Sequence, residues 1–260
     1  MPKAGILFQK LLQLLFPQRC IICHKGTSVG AANRAVTDQA VSEEVVTYQA
    51  SAICPACIEQ LPFNRTACRR CALPLPVDNG STELCGRCLK RAPAFDYAVS
   101  AFRYEDAVVP LVQQLKFSGK ISFVPTLAQH MADVYLAKGM DLPDCLLPVP
   151  LHTRRLRERG YNQSIELARP LARLTGLPLS CDRVIRCRHT APQVGNRVDA
   201  RRRNIRGAFA IKAPVEAAHV LIIDDVVTTG STVNELAKLL KASGVQRVGV
   251  LSLARAPHKT

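Results

Sequence analysis

Apolar spacing divides the chain into short strand-like runs and amphipathic helical stretches, and these alternate from about residue 97 onward. Residues 97–104 alternate and look like a strand, 107–117 carries helical spacing, and 127–138 repeats it. A short apolar run closed by prolines, 145–151, reads as a buried strand, and helical spacing resumes over 162–175. Strands follow near 179–185 and 207–211. Then Val220-Leu221-Ile222-Ile223 runs into Asp224 and Asp225, Val226 and Val227, and the turn Thr228-Thr229-Gly230-Ser231-Thr232. A continuous apolar run of this kind marks a strand buried on both faces. Residues 234–241 are apolar at 236, 239 and 240, which places a helix there, and 247–253 forms a last strand. Strands alternating with helices predict an α/β fold on a parallel sheet flanked by helices.

The front of the chain is built differently. Residues 5–16 are apolar but interrupted by Lys10 and two glutamines, too short to span a bilayer and followed by no small-residue cleavage site. An amphipathic helix and a cytoplasmic protein are expected. Eight of the eleven cysteines fall in four C-x-x-C pairs: Cys20/Cys23, Cys54/Cys57, Cys68/Cys71 and Cys85/Cys88. In a reducing compartment such pairs hold metal, and two pairs complete a tetrahedral thiolate site. Eight ligands suit two structural Zn2+ sites. Sequential pairing (first with second, third with fourth) and a cross-braced exchange are both open at this level. Helix-like starts after the second and fourth pairs favour two successive knuckle-plus-helix units. Cys145, Cys181 and Cys187 are scattered and read as packing residues. The expected boundaries are 1–94 for the N-terminal helix and double zinc module and 95–260 for the α/β domain.

Chemistry concentrates at the ends of the predicted strands. The first N–H groups of a helix lack intrahelical partners and carry the positive end of its dipole. A strand, a hydroxyl-rich turn around Gly230 and a helix therefore form a phosphate cradle. Two carboxylates just upstream would repel that phosphate, but they suit a neighbouring diol or a Mg2+-bound group. After the 145–151 strand, Arg154, Arg155, Arg157 and Arg159 form a basic loop that can face a diphosphate. A second basic stretch, 186–206, includes Arg201, Arg202 and Arg203, and it is long enough to be a functional loop. A net charge of +15 points to anionic partners, metabolite or nucleic acid, while 5% aromatic content weakens a base-stacking reader of single strands.

The stretch from Val220 to Thr232 resembles the 5-phosphoribosyl-1-pyrophosphate (PRPP) motif of type I phosphoribosyltransferases. The resemblance implies that Asp224 and Asp225 act in catalysis by holding the ribose hydroxyls. It places the 5-phosphate on Thr228, Thr229, Gly230, Ser231 and Thr232, with Val226 and Val227 within the motif. Mg2+ would accompany PRPP, and the 186–206 stretch would correspond to that fold's mobile flap. Joined with the four cysteine pairs, the Arg159-Gly160-Tyr161-Asn162-Gln163 turn and the Arg188-His189-Thr190 loop ending at Gln193, the chain resembles the ComF family of competence-related phosphoribosyltransferase-like proteins. Only an insert at 24–53 departs from that pattern. The resemblance implies PRPP or a related phosphoribosyl metabolite as ligand, transfer to an acceptor with release of pyrophosphate, and a link to DNA uptake. After the last strand no hood over the acceptor is expected, and the zinc module could supply one. The alternative reading is a non-catalytic factor that grips single-stranded DNA, or the competence machinery, through the zinc module and arginine loops.

Overall fold

The computed structural model describes residues 19–26, 52–76, 84–117, 119, 121–188 and 205–257. The helix expected over 5–16, most of the 24–53 insert and most of the 186–206 stretch, with Arg201, Arg202 and Arg203, lie outside the described residues. The chain forms two compact units, Met1–Gln60 and Leu61–Thr260.

In the first unit, the turn carrying Cys20 and Cys23 is closed by an antiparallel bridge between Arg19 and Gly26. Helix α1 (Pro55–Glu59) starts directly after Cys54, its N-cap, with Pro55 in the first turn where a missing N–H costs nothing.

The second unit opens with another knuckle. Helix α2 (Gly86–Lys90) starts after Cys85, again at the N-cap. Then follow β1 (Tyr97–Arg103), α3 (Val108–Phe117), α4 (Val124–Leu136), β2 (Cys145–Pro148), α5 (Thr153–Arg159), α6 (Gln163–Thr175), β3 (Val184–Arg186), β4 (Phe209–Ile211), β5 (His219–Val227), α7 (Ser231–Ala242) and β6 (Arg247–Arg255). The main sheet is fully parallel, in the order β1-β6-β5-β2. The apolar run of β5 is central and buried from His219 to Ile223, as its lack of alternation requires. Val220 and Ile222 face a core shared with Val233, Leu236, Ala237 and Leu240 of α7. Helices α4 and α6 pack together on the other face, with Leu127, Met131, Leu167 and Leu171 almost wholly buried.

Two expectations change. The strand near 179–185 is not one strand: Leu179 makes a single parallel bridge to Leu146, while β3 leaves the sheet and pairs antiparallel with β4. Periodicity identifies a strand but not its partner, and β3 and β4 are neighbours across the 187–208 connection. The arginine loop after β2 is a helix, α5. His152 Nδ1 accepts from the Arg154 N–H at 3.2 Å, and Gly160 ends the helix in the left-handed region, at φ 82°. Only glycine adopts that conformation without strain.

Candidate active site and metal centres

Strand β5 delivers its acids beside the start of α6. Asp224 Oδ1 accepts the Asp225 N–H at 2.9 Å and lies 3.4 Å from Ser164 Oγ. Asp225 Oδ1 accepts the Val226 N–H at 2.7 Å, and its Oδ2 pairs with Lys116 Nζ at 3.0 Å. Burial pushes the Asp224 carboxyl well above the usual carboxylate range, and the neighbouring charge of Asp225 pushes it further. Lys116 offsets only part of this. Ser164 is held in place by the helix cap: Asn162 Oδ1 accepts the Ser164 N–H at 3.0 Å while Nδ2 donates to the Val149 carbonyl at 3.0 Å.

The turn after β5 folds on its own hydroxyls. Thr229 Oγ1 lies 2.8 Å from Ser231 Oγ and accepts the Ser231 N–H at 3.3 Å. Gly230, at φ 77°, is the N-cap of α7 and, having no side chain, places no capping group over the first N–H groups of the helix. The first turn of α7 carries no acid, so nothing in it opposes an incoming anion.

A cavity of about 590 Å³ gathers these parts. Asp224, Asp225, Val226 and Thr232 line it from the motif, and Arg155 and Arg159 from α5. Lys116, Phe117, Tyr161, Gln163, Ser164 and Arg186 complete much of the wall. Thr228, Thr229, Gly230 and Ser231 form the turn leading into Thr232, and Val227 is buried beneath it. Arg154 turns outward, 68% exposed and paired with Glu158 at 3.0 Å, and Arg157 is also exposed. Desolvation lowers the pKa of both Arg159 and Arg186, and the charge of Arg155 adds to it in each case. Crowded, poorly hydrated guanidinium groups favour an anion among them.

Several wall residues escaped sequence reasoning. Lys116 and Phe117 registered only as the end of a helix. They reach the site because α3 ends against the last turn of α5 and the residues after it, where Tyr161 Oη donates to the Leu115 carbonyl at 2.5 Å and the Arg159 guanidinium lies over the Phe117 ring at 5.4 Å. The signal was a Lys-aromatic pair at a helix terminus before glycine, too weak to assign alone.

The cysteines form two sequential tetrads, Cys20/Cys23/Cys54/Cys57 in the first unit and Cys68/Cys71/Cys85/Cys88 in the second. Within each, all four sulfurs lie within 4.8 Å of one another. Cys23 and Cys54 Sγ are 3.7 Å apart, and Cys71 and Cys85 Sγ 3.6 Å. A tetrahedron with Zn–S bonds of about 2.3 Å has an edge of about 3.8 Å, so the residues present fit zinc. The thiols also differ sharply. A hydrogen bond from Cys71 draws Cys68 down to about 4, whereas burial pushes Cys57 and Cys88 up to about 12. Four thiols packed this closely cannot all ionise unless a cation joins them. Among the described residues, no helix is long and apolar enough to cross a membrane.

Residues 162–260 match the phosphoribosyl transferase domain family, and residues 42–89 match the double zinc ribbon domain family. The DNA utilization protein YhgH of Escherichia coli strain K12 is 38% identical over 207 residues, covering 78% of this chain and 90% of that protein. Competence protein F of Haemophilus influenzae is 34% identical over 214 residues, with the same 78% and 90% coverage. A solved structure of the Bacillus subtilis glutamine PRPP amidotransferase, complexed with ADP and GMP, aligns over 53% of this chain and 30% of its own at 17% identity and a TM-score of 0.36. With two cysteine tetrads ahead of a parallel phosphoribosyltransferase-type sheet, and 34% to 38% identity across nine-tenths of such relatives, the chain belongs to the ComF family of competence-related, phosphoribosyltransferase-like proteins.

Proposed function

We propose that this protein binds PRPP with Mg2+ in the cavity at the end of β5 and transfers its phosphoribosyl group to an acceptor, releasing pyrophosphate. One observation carries the reading: paired acids, a helix N-terminus and a cluster of guanidinium groups line a single cavity of about 590 Å³. The 5-phosphate would sit on the N–H and hydroxyl donors of residues 228–232 at the start of α7. The ribose hydroxyls would be held by Asp224 and Asp225, with Asp224 giving up its proton as the diol or cation arrives. Lys116 would then release Asp225 and remain within reach of the ligand. Arg155, Arg159 and Arg186 would face the diphosphate. As the C1–O bond to pyrophosphate breaks, negative charge grows on the leaving group and positive charge on the ribose ring. Fixed cations on one side and carboxylates on the other stabilise that separation. Mg2+ would add charge neutralisation of the diphosphate. A place in the cytoplasm accords with zinc sites that require reduced thiols.

A second reading has its own support. Arg154 and Arg157 point to solvent outside the cavity, where they can meet a DNA backbone, and the net charge is +15. The relatives named for DNA utilization and competence fit a role in DNA uptake under either reading.

Calorimetry with PRPP and Mg2+ tests the first. Binding that is lost when Asp224→Asn and Asp225→Asn are combined, with pyrophosphate released once an acceptor is supplied, is the expected result. Tight binding of single-stranded DNA that PRPP does not displace, with no measurable PRPP affinity, would reverse the choice.

A further inference from the structure

One buried arginine joins the second cysteine tetrad to the turn after β5. Arg255 ends β6 and is only 3% exposed. Its Nε donates to the Cys71 carbonyl at 2.9 Å. Its Nη1 donates to the Val227 carbonyl at 3.0 Å, to the Thr228 carbonyl, and to the Ala256 carbonyl at 2.8 Å. A guanidinium is a rigid planar fork, and burying its charge requires hydrogen-bond acceptors around it. Here it holds backbone from two distant segments, the knuckle of the tetrad and the entry to the phosphate turn.

The consequence follows from peptide planarity. The Val227 carbonyl shares a plane with the Thr228 N–H, and the Thr228 carbonyl with the Thr229 N–H. In a trans peptide the two groups point in opposite directions, so drawing both carbonyls toward Arg255 turns those two N–H groups away from it. A second tie runs in parallel: the Ala94 N–H, beyond α2, donates to Asn234 Oδ1 in the first turns of α7 at 2.8 Å.

We propose that Arg255 is a positioning residue that couples metal occupancy of Cys68, Cys71, Cys85 and Cys88 to the geometry of the phosphate turn. Zinc fixes the knuckle and with it the Cys71 carbonyl. The Val227 carbonyl is also held by the Ala256 N–H at 3.0 Å, and Arg255 carries the constraint one peptide further, to the plane at Thr228. Because binding linkage is reciprocal, an anion seated on the turn must in return hold the metal more tightly. The ligand half of this rests on the phosphate reading above; the mechanical half does not.

Hydrogen exchange on the full chain separates the two. In the wild type, stripping the second zinc with a chelator should speed exchange of the amides of residues 228–231 by about tenfold or more. Amides of residues 219–222, at the other end of β5, should be unaffected. Arg255→Lys keeps the charge but cannot span both segments. Its turn should exchange fast with or without metal while the protein retains two zinc ions. Should Arg255→Lys fail to fold, the wild-type comparison decides alone. An unchanged turn after stripping, equal acceleration along all of β5, or a zinc-dependent turn in Arg255→Lys would each overturn the proposal. In the ligand arm, ribose 5-phosphate should slow zinc release to the chelator severalfold in the wild type and leave Arg255→Lys unaffected. If calorimetry shows no ribose 5-phosphate binding, the phosphate reading fails while the exchange result still decides the coupling.

Discussion

Replacing Asp224 by Asn should stabilise the protein while abolishing its ligand binding. Asn keeps the shape and an Oδ1 acceptor for the Asp225 N–H and Ser164 Oγ, so the local hydrogen bonds survive. What disappears is a carboxyl forced to choose between holding a proton and standing charged beside Asp225. Its pKa is raised in the fold, chiefly by burial and then by Asp225. The unfolded chain gives up that proton as the pH passes about 4, while the folded chain keeps it. The stability tied to the proton is therefore complete below that pH and is lost as pH climbs toward the raised value. Each pH unit in that window costs about 1.36 kcal/mol. Counting only about two units, as a discount for water reaching the cavity, gives roughly 2.5–3 kcal/mol in favour of Asn at pH 8. For a unit of this size that is roughly 5–12 °C in Tm. Thermal and urea unfolding at pH 5 and pH 8, in zinc-replete buffer, should show a gain that is clearly larger at pH 8. PRPP calorimetry on the same preparation should show no binding. A mutant no more stable than wild type at pH 8, or a gain independent of pH, would refute the reasoning, because the carboxyl would then not be strained by its surroundings.

Other expectations are as specific. Gly249 of β6 faces Tyr97 so closely that an added Cβ would lie 2.3 Å from Tyr97 Cζ, and the ring is pinned by hydrogen bonds of 2.9 Å to Tyr135 Oη and His219 Nε2. Gly249→Ala should therefore cost about 2–4 kcal/mol in urea unfolding, and Tyr97→Val in the same chain should recover part of that loss. Replacing Arg155 and Arg159, which line the cavity, should weaken PRPP far more than ribose 5-phosphate; replacing the outward Arg154 and Arg157 should change neither in calorimetry by more than about twofold. Elemental analysis should find two zinc ions per chain, and loss of the first tetrad through Cys20→Ser should leave the second ion and the sheet domain's cooperative unfolding in place.

Much of this protein is legible in one dimension because its signals are local. A strand buried on both faces must be apolar throughout, which made 220–223 plain, and a turn into a helix needs hydroxyls and a glycine in sequence, which made 228–232 plain. Ligand type and pair spacing likewise announced metal, since two thiols two residues apart already form half a tetrahedron. Partnership was not local. The same four cysteine pairs allow sequential or crossed tetrads, and only the folded positions of the sulfurs choose the sequential one. The strand expected near 179–185 marked extended chain but could not say that β3 would leave the sheet for β4. Four arginines in one stretch looked equivalent until helix α5 formed. Its turn of 3.6 residues sends Arg155 and Arg159 inward, four apart on one side, and leaves Arg154 and Arg157 in solvent. Lys116 beside Asp225, and Arg255 beneath the turn after β5, belong to the same class. Each is an unremarkable basic residue in sequence. Its role comes from a pairing that only a packed sheet can make, because charge and hydrogen bonding act across a few ångströms of space regardless of how much chain lies between.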